Sequence, residues 1–240
     1  MRIEGKTALV TGGTAGIGEQ LALQLAAKGA SVIVTGRSEE RLAAMRDRGF
    51  EAVTADLSNP AGVEALVSAL GEREIDILVN NAGQGVDHDF REAAPDMADT
   101  DDCIHANLNA PIRLTAAFVP RMESLKSAAI VNVTSGLAIA PRAGSPVYCA
   151  TKAGLRSYTQ AIRAQLKDKG IHVIEALPPV VDTQMTAGRG GRKMSAEDCA
   201  AAIIHAIEKD RDEANIGMVR ILKRVHSVSP ALARSVMLRF

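Results

Sequence analysis

From its first residues the chain alternates short β-branched runs with longer stretches of helical spacing. The runs TALVTG (7–12), SVIVTG (31–36), FEAVTA (50–55), IDILVN (75–80), AIVNVT (129–134) and HVIEAL (172–177) place apolar residues at consecutive rather than alternate positions. That pattern belongs to strands buried on both faces, as in a parallel sheet covered by helices. Between them, residues 16–29, 38–48, 60–71, about 96–125 and 147–168 have the spacing of helices. Ser38 ahead of EERL and Asn59 ahead of Pro60 mark helix starts. Strand, helix, strand repeated this often predicts an α/β fold with a doubly wound parallel sheet.

No change of composition marks a linker and no repeat period emerges, so residues 1–240 are expected to form one domain. Two segments escape the alternation. Residues 184–195, QMTAGRGGRKMS, hold three glycines in four positions. That density favours neither helix nor strand and predicts a flexible loop over a site, an ordinary surface loop being the alternative. Residues 211–240 form an extension that ends in an amphipathic stretch of unassigned form.

Composition narrows the class. Of 240 residues, 47% are apolar and 23% charged, which is average for a globular protein and excludes a disordered or fibrous chain. Twenty-eight basic residues balance twenty-eight acidic ones, so no global field calls for nucleic acid or an anionic membrane, although local patches stay open. The start of the chain lacks the pattern of a signal peptide, and no run of 18 apolar residues predicts a transmembrane segment. Cys103, Cys149 and Cys199 are odd in number and far apart, which fits a reducing compartment. The expectation is a cytoplasmic enzyme.

Directly after the first strand comes Thr11-Gly12-Gly13-Thr14-Ala15-Gly16-Ile17-Gly18, followed at once by a helical pattern. Such glycines let the backbone turn sharply and let a pyrophosphate approach the helix N-terminus, where free N–H groups and the dipole favour an anion. A dinucleotide is the expected ligand and the sheet is expected to be of Rossmann type. The spacing is Gly-x-x-x-Gly-x-Gly rather than the standard Gly-x-Gly-x-x-Gly, and no Gly-Lys-Ser/Thr follows to make a triphosphate loop. At the end of the second strand, where an acidic residue would bind the adenosine ribose, stands Arg37. A guanidinium can pair with a 2′-phosphate and stack on adenine, so the sequence favours NADP(H), with NAD(H) still admitted. The plainer alternative is a solvated arginine at a helix start.

Tyr148, one of two tyrosines, lies four residues before Lys152, on the same face of a predicted helix. Alone, that pair more often means a packed phenol beside a solvated lysine. Cys149 has no histidine placed to activate it and reads as a small buried residue. His88, His105, His172, His205 and His226 have no ligand spacing, so no metal site is expected.

Taken together, TGGTAGIG (11–18), NNAG (80–83), Ser135 thirteen residues before Tyr148, and YCATK (148–152) resemble, in order and spacing, the short-chain dehydrogenase/reductase family in its classical type. PVYCATKAG with the later IEALPPVVDT is similar to the branch associated with D-alanyl-lipoteichoic-acid (dlt) operons. The resemblance implies a catalytic tetrad of Asn107, Ser135, Tyr148 and Lys152, Asn109 being the less fitting asparagine. It implies cofactor contacts from Gly12, Thr14, Ala15, Gly16, Ile17 and Gly18, and adenine contacts from Asp56 and Leu57. Asn81, Ala82 and Gly83 would support the sheet and touch the cofactor, with Tyr148 and Lys152 beside it. Pro178, Val181 and Thr183 would meet the nicotinamide. Pro178-Pro179 departs from the family's usual Pro-Gly, which leaves the loop above it less defined.

Carbonyl reduction needs a hydride donor, a proton donor at the oxygen and a group that holds that oxygen. A free tyrosine titrates near about 10, so a phenolic acid/base at neutral pH requires a nearby cation, which Lys152 supplies. The resemblance adds Ser135 as the group on the substrate oxygen and Asn107 as holder of a water that links Lys152 to solvent. The expected protein is an NAD(P)(H)-dependent oxidoreductase acting on a small-molecule alcohol or carbonyl, a homodimer or homotetramer by the family's habit. Two rivals are a cofactor-binding regulator without turnover, against which the intact tetrad argues, and a sugar-nucleotide epimerase or dehydratase, for which too little chain follows the sixth strand. Candidate substrate walls are Gln84 to Asp87, Leu137 to Ala140, Arg142 and the loop 184–195, where Arg189, Arg192 and Lys193 could close over an anion.

Overall fold

The computed structural model describes residues 1–188 and 190–239. Its centre is a seven-stranded sheet in which every pairing is parallel: β1 (Thr7–Val10), β2 (Ser31–Gly36), β3 (Glu51–Thr54), β4 (Ile77–Asn80), β5 (Ala128–Val133), β6 (Ile171–Leu177) and β7 (Glu213–Asn215). The order is β3-β2-β1-β4-β5-β6-β7, so the chain reverses its direction of travel between β1 and β4. In such sheets that reversal opens a crevice at the carboxyl ends of the strands, where ligands bind.

Helices α1 (Gly16–Ala27), α2 (Glu39–Asp47), α3 (Pro60–Leu70), α4 (Met97–Ile104), α5 (Ala110–Met122), α6 (Pro146–Leu166), α7 (Ala196–Glu208), α8 (Val219–Val228) and α9 (Pro230–Met237) surround the sheet. Consecutive apolar strand residues serve two cores. Val10, Val34, Val79 and Val131 join Leu21 and Leu25 of α1 and Ile203, Ile204 and Ile207 of α7. Leu9, Ile33, Leu78 and Ile130 point the other way, to Leu66 of α3, Leu114 and Phe118 of α5 and Ile162 of α6. This is the physical meaning of the unbroken apolar runs.

Two expectations need correction, and two further regions gain a form that the sequence had not assigned. The helix expected over about 96–125 is interrupted by a π-helical turn at His105–Asn109, where the Ala110 amide bonds to the His105 carbonyl. The strands are not apolar throughout. β3 is an edge strand with exposed Glu51 and Thr54, and β6 carries the fully buried Glu175. The helix α7 is not among those expected from spacing, though Ser195 caps it by accepting from the Asp198 amide at 3.0 Å. Residues 211–239, of unassigned form in the sequence, supply β7, α8 and α9. No helix among the described residues is long and apolar enough to cross a membrane.

Candidate active site

The glycine turn has the shape its sequence requires. Gly12 and Gly16 adopt φ of 63° and 55°, where a side chain is strained. A Cβ on Gly13 would stand 2.7 Å from Val34 Cγ1, and one on Gly18 would stand 2.1 Å from the Gly12 carbonyl oxygen. The N-cap of α1 is Ala15, whose side chain makes no capping bond to the first amides of the helix. An uncapped helix start behind a bare glycine turn fits the pyrophosphate of a dinucleotide.

This turn is wired to the next strand over. Thr11 Oγ1 donates to the Val79 carbonyl (3.1 Å) and accepts from the amides of Asn81 and Ala82 (both 3.0 Å). Asn81 Nδ2 donates to the carbonyls of Thr11 (3.0 Å) and Gly12 (3.3 Å). A Cβ on Gly16 would meet Thr183 Cγ2 at 2.9 Å, which places the segment after β6 against the same turn. Gly12, Gly16, Asn81, Ala82 and Thr183 therefore converge.

Arg37 is exposed at the end of β2, and no carboxylate pairs with it among the described residues. Beside it, a Cβ on Gly36 would touch Thr14 Oγ1 at 2.8 Å, so the glycine turn abuts the β2 end. Asp56 is committed to local structure. It accepts from the Ser58 amide (3.1 Å) and Asn59 Nδ2 (3.2 Å), while Asn59 caps α3 through the Gly62 amide (2.9 Å). Leu57 is buried, and its carbonyl meets His105 Nδ1 at 3.1 Å.

Tyr148 and Lys152 lie one turn apart near the start of α6, with the ammonium 5.7 Å from the phenol ring centroid. Lys152 is 4% exposed and donates to the Val133 carbonyl at 2.9 Å. Burial pulls it from 10.5 down to about 8, with the charge interaction of Cys103 opposing the fall. Ser135, just past β5, accepts from the Leu137 amide (3.1 Å), and its neighbour Gly136 donates to the Pro178 carbonyl (3.1 Å). The short helical turn Gly136–Ala138 packs on α6, so Ser135 and Tyr148 share one region. Val181 is buried and bridges to Met194.

Asn107 sits in the π turn, fully buried. Its Oδ1 accepts from the Gln84 amide (2.9 Å), and Nδ2 lies within bonding distance of the Gln84 carbonyl (2.8 Å), Cys103 Sγ and Thr151 Oγ1 (both 3.2 Å). A Cβ on Gly83 would stand 2.5 Å from Asn107 Oδ1 and 3.5 Å from Lys152 Nζ. The side chain thus clamps the NNAG turn beside Lys152, and its polar atoms are engaged in doing so.

Several residues that hold α6 escape a reading of the sequence for motifs. Asn80 Nδ2 donates to Asn132 Oδ1 (2.8 Å), and Asn132 Nδ2 donates to Thr159 Oγ1 (2.9 Å), inside the core. Glu175 accepts from Thr134 Oγ1 (2.8 Å) and pairs with Arg156 of α6 (2.7 Å). Burial pushes the Glu175 carboxyl up, against the pull of Arg156 and Thr134. A break of either partner leaves an uncompensated buried charge. These ties fix Tyr148 and Lys152 against the β5 end. The signal was available: polar residues inside otherwise apolar strand runs.

The walls of the site differ in part from expectation. Arg142 pairs with Asp87 (2.7 Å) and with buried Ser145, which also bonds Asp87. Lys193 is not free to close over an anion. It donates to the Thr186 carbonyl (2.6 Å) and stands 3.6 Å from Asp182, pinning the loop's neck together with the Asp182–Met194 backbone bond (2.8 Å). Arg192 is exposed, and Arg189 lies outside the described residues. Among the described residues no group of three or more His, Cys, Asp or Glu could hold a metal ion.

A doubly wound sheet with a bare glycine turn at its switch point and Ser135, Tyr148 and Lys152 in one region beside it is the arrangement of an NAD(P)-dependent oxidoreductase. The chain belongs to the short chain dehydrogenase family, which residues 6–193 match. It is 39% identical over 223 residues to the uncharacterized oxidoreductase DltE of Bacillus subtilis (strain 168), covering 89% of this chain and 88% of that protein. A short-chain dehydrogenase from Burkholderia cenocepacia J2315, solved in complex with NADP, matches with a TM-score of 0.87 at 28% identity over 99% of each chain. One from Sphingobium yanoikuyae, in complex with NADPH, matches with a TM-score of 0.83 at 28% identity over 95% and 94% of the two chains.

The Lys152 geometry carries a stability prediction. At pH 7 the lysine is protonated in both folded and unfolded chains, and the drop from 10.5 to about 8 means the folded charge costs about 3 kcal/mol. Between about 8 and 10.5 the unfolded chain binds more protons, so this cost fades as pH rises. Lys152→Met should therefore be more stable than the parent at pH 7 by about 1–2 kcal/mol, after the lost Val133 hydrogen bond is subtracted. Urea unfolding at pH 7 and pH 10 checks this: the advantage should shrink at the higher pH, and a variant less stable at pH 7 refutes the buried-charge account.

Proposed function

We propose that this protein is an NADP(H)-dependent oxidoreductase that interconverts an alcohol and a carbonyl, with Tyr148 as general acid/base. The observation that carries the reading is Lys152, a buried ammonium one turn from the phenol and anchored on the Val133 carbonyl. A cation so placed, away from water, favours the phenolate over the phenol. The nicotinamide, when bound, supplies or accepts the hydride. Tyr148 gives its phenolic proton to the substrate oxygen in reduction and takes it back in oxidation, and Ser135 Oγ holds that oxygen. Asn107 keeps the NNAG turn and Lys152 in register; a water link to solvent would use its backbone, since its side chain is engaged. Gly12, Thr14, Ala15, Gly16, Ile17, Gly18, Asn81, Ala82, Gly83, Pro178, Val181 and Thr183 form the cradle, with Asp56 and Leu57 at the adenine. A small-molecule substrate, a cytoplasmic setting and self-association as a homodimer or homotetramer belong to the same reading.

Support for NADP(H) over NAD(H) comes from Arg37, exposed at the β2 end where a ribose-binding carboxylate would otherwise repel a phosphate. Parallel fluorescence titrations with NADPH and NADH test it. NADPH should bind at least tenfold tighter, and Arg37→Glu should weaken NADPH by about 10–100-fold, the worth of a charge-assisted pair, with little effect on NADH. Tighter NADH binding by the parent protein would overturn the preference; binding of neither would overturn the cradle. Turnover of a panel of aldehydes and ketones with the preferred cofactor then tests the reaction itself.

A further inference from the structure

The balanced charge of the whole chain hides a local excess. From Ala214 to Arg239 there is no acidic residue, and Arg220, Lys223, Arg224, Arg234 and Arg239 are all basic. The same stretch folds as α8 and α9, two helices that pack on each other. Six of the ten exposed large hydrophobic side chains among the described residues fall here: Met218, Ile221, Val228, Leu232, Val236 and Leu238. Val228 is 88% exposed. On α8, the buried Val219 and the half-buried Leu222 face inward, where a Cβ on Gly136 would meet Val219 Cγ2 at 3.0 Å and Leu222 Cδ2 at 3.7 Å. The opposite face mixes exposed Arg220 and Arg224 with exposed Ile221 and Val228. On α9, Leu232 and Val236 stand four residues apart on one exposed face.

We propose that α8 and α9 form a peripheral docking surface for an anionic lipid bilayer. An amphipathic helix whose apolar side chains are exposed and whose polar groups are all cationic or neutral is the arrangement that lies in a membrane interface, apolar residues among the acyl chains and cations at the headgroups. Beside α8 opens a cleft of about 620 Å³ whose lining includes His205 and Arg211 with Arg220 and Arg224, so the cationic face continues into a hollow able to take phosphate headgroups. Its carboxylate, Glu213, is paired with Lys223 and leaves the arginines in excess. A second copy of the chain is the weaker occupant. A two-fold contact brings a patch against itself, and here it would set like charges together without one carboxylate on the two helices to offset them. Because the inner face of α8 rests on Gly136, next to Ser135, docking would bring the site within roughly one helix diameter, about 10 Å, of the bilayer.

The test is flotation of the full chain with vesicles of phosphatidylcholine alone and of phosphatidylcholine with 30 mol% phosphatidylglycerol, at low and at 0.5 M salt. The protein should float with the anionic vesicles at low salt, lose most of that binding at high salt, and stay behind with the neutral ones. Arg220→Gln/Arg224→Gln and, separately, Leu232→Asp/Val236→Asp should each reduce the bound fraction at least fivefold, with unchanged circular dichroism and NADPH binding as the check on folding. Equal flotation with both vesicle types, or none with either, overturns the proposal. So does sedimentation showing that Leu232→Asp/Val236→Asp splits an oligomer without changing flotation, which would make the face a contact between copies.

Discussion

Tyr148→Phe is expected to lower kcat by about a thousandfold or more while the dissociation constant for NADPH stays within about twofold. The loss is that of a positioned acid/base, which contributes about 10²–10⁴-fold, with the loss of a hydrogen bond to the reacting oxygen added. The glycine turn, the NNAG turn and the segment after β6, which the proposal assigns to the cofactor, are joined to one another by their own contacts. Phenylalanine keeps the aromatic ring and removes only the hydroxyl, so circular dichroism and urea unfolding of the variant accompany the kinetics as the check on folding. Single-turnover reduction of the best aldehyde or ketone, with NADPH titrated separately, divides binding from chemistry. A Tyr148→Phe protein that turns over normally would place the proton donor elsewhere; one that also fails to bind NADPH would make Tyr148 part of the cradle rather than the acid.

What could be read in advance follows from where the signal lies. Five strands were legible because each is buried on both faces and therefore written in largely apolar, β-branched runs, while β3 at the sheet edge showed a similar run around half-buried Ala52 and Val53. β7 is three residues, Glu-Ala-Asn, with no such run; it becomes a strand only because Glu213, Ala214 and Asn215 pair with the edge of β6. The π turn at His105–Asn109 is one residue of extra winding, which a search for helical periodicity absorbs without trace. The glycine turn and the Tyr148–Lys152 pair were legible because their chemistry is local. Asn107 was placed by resemblance alone, and only the structure shows that its side chain grips Gln84. Arg156 and Glu175 are nineteen residues apart, so their pairing could not be derived from spacing. Glu175 inside HVIEAL was the visible anomaly, a carboxylate where burial tolerates none without a partner.

Gly18→Ala is the substitution in which fold and site should fail together. Gly18 lies in the first turn of α1 and has ordinary helical geometry, so by local propensity alanine there should help by about 1 kcal/mol. The close approach decides otherwise. The new Cβ would stand 2.1 Å from the Gly12 carbonyl oxygen and 2.5 Å from Asn81 Nδ2, and neither neighbour is the loose end of a flexible chain. The carbonyls of Gly12 and Thr11 are both held by Asn81 Nδ2, and Thr11 Oγ1 is held by the Asn81 and Ala82 amides, so relief must push α1 off the sheet or break the link from β1 to β4. Overpacking of this kind costs about 1–3 kcal/mol and more where backbone must move, so a net loss of about 2–4 kcal/mol is expected in urea unfolding. The amides at the start of α1 move with the helix, so NADPH affinity should fall at least a hundredfold even under conditions where the variant is fully folded. Gly190→Ala, whose would-be Cβ has no atom of the described residues within 4 Å apart from its chain neighbours, is the matched control and should change stability by less than about 0.5 kcal/mol. A Gly18→Ala protein as stable as its parent and binding NADPH normally would show that α1 and the glycine turn can part without loss, and the close packing of the turn would then have no role in holding the dinucleotide.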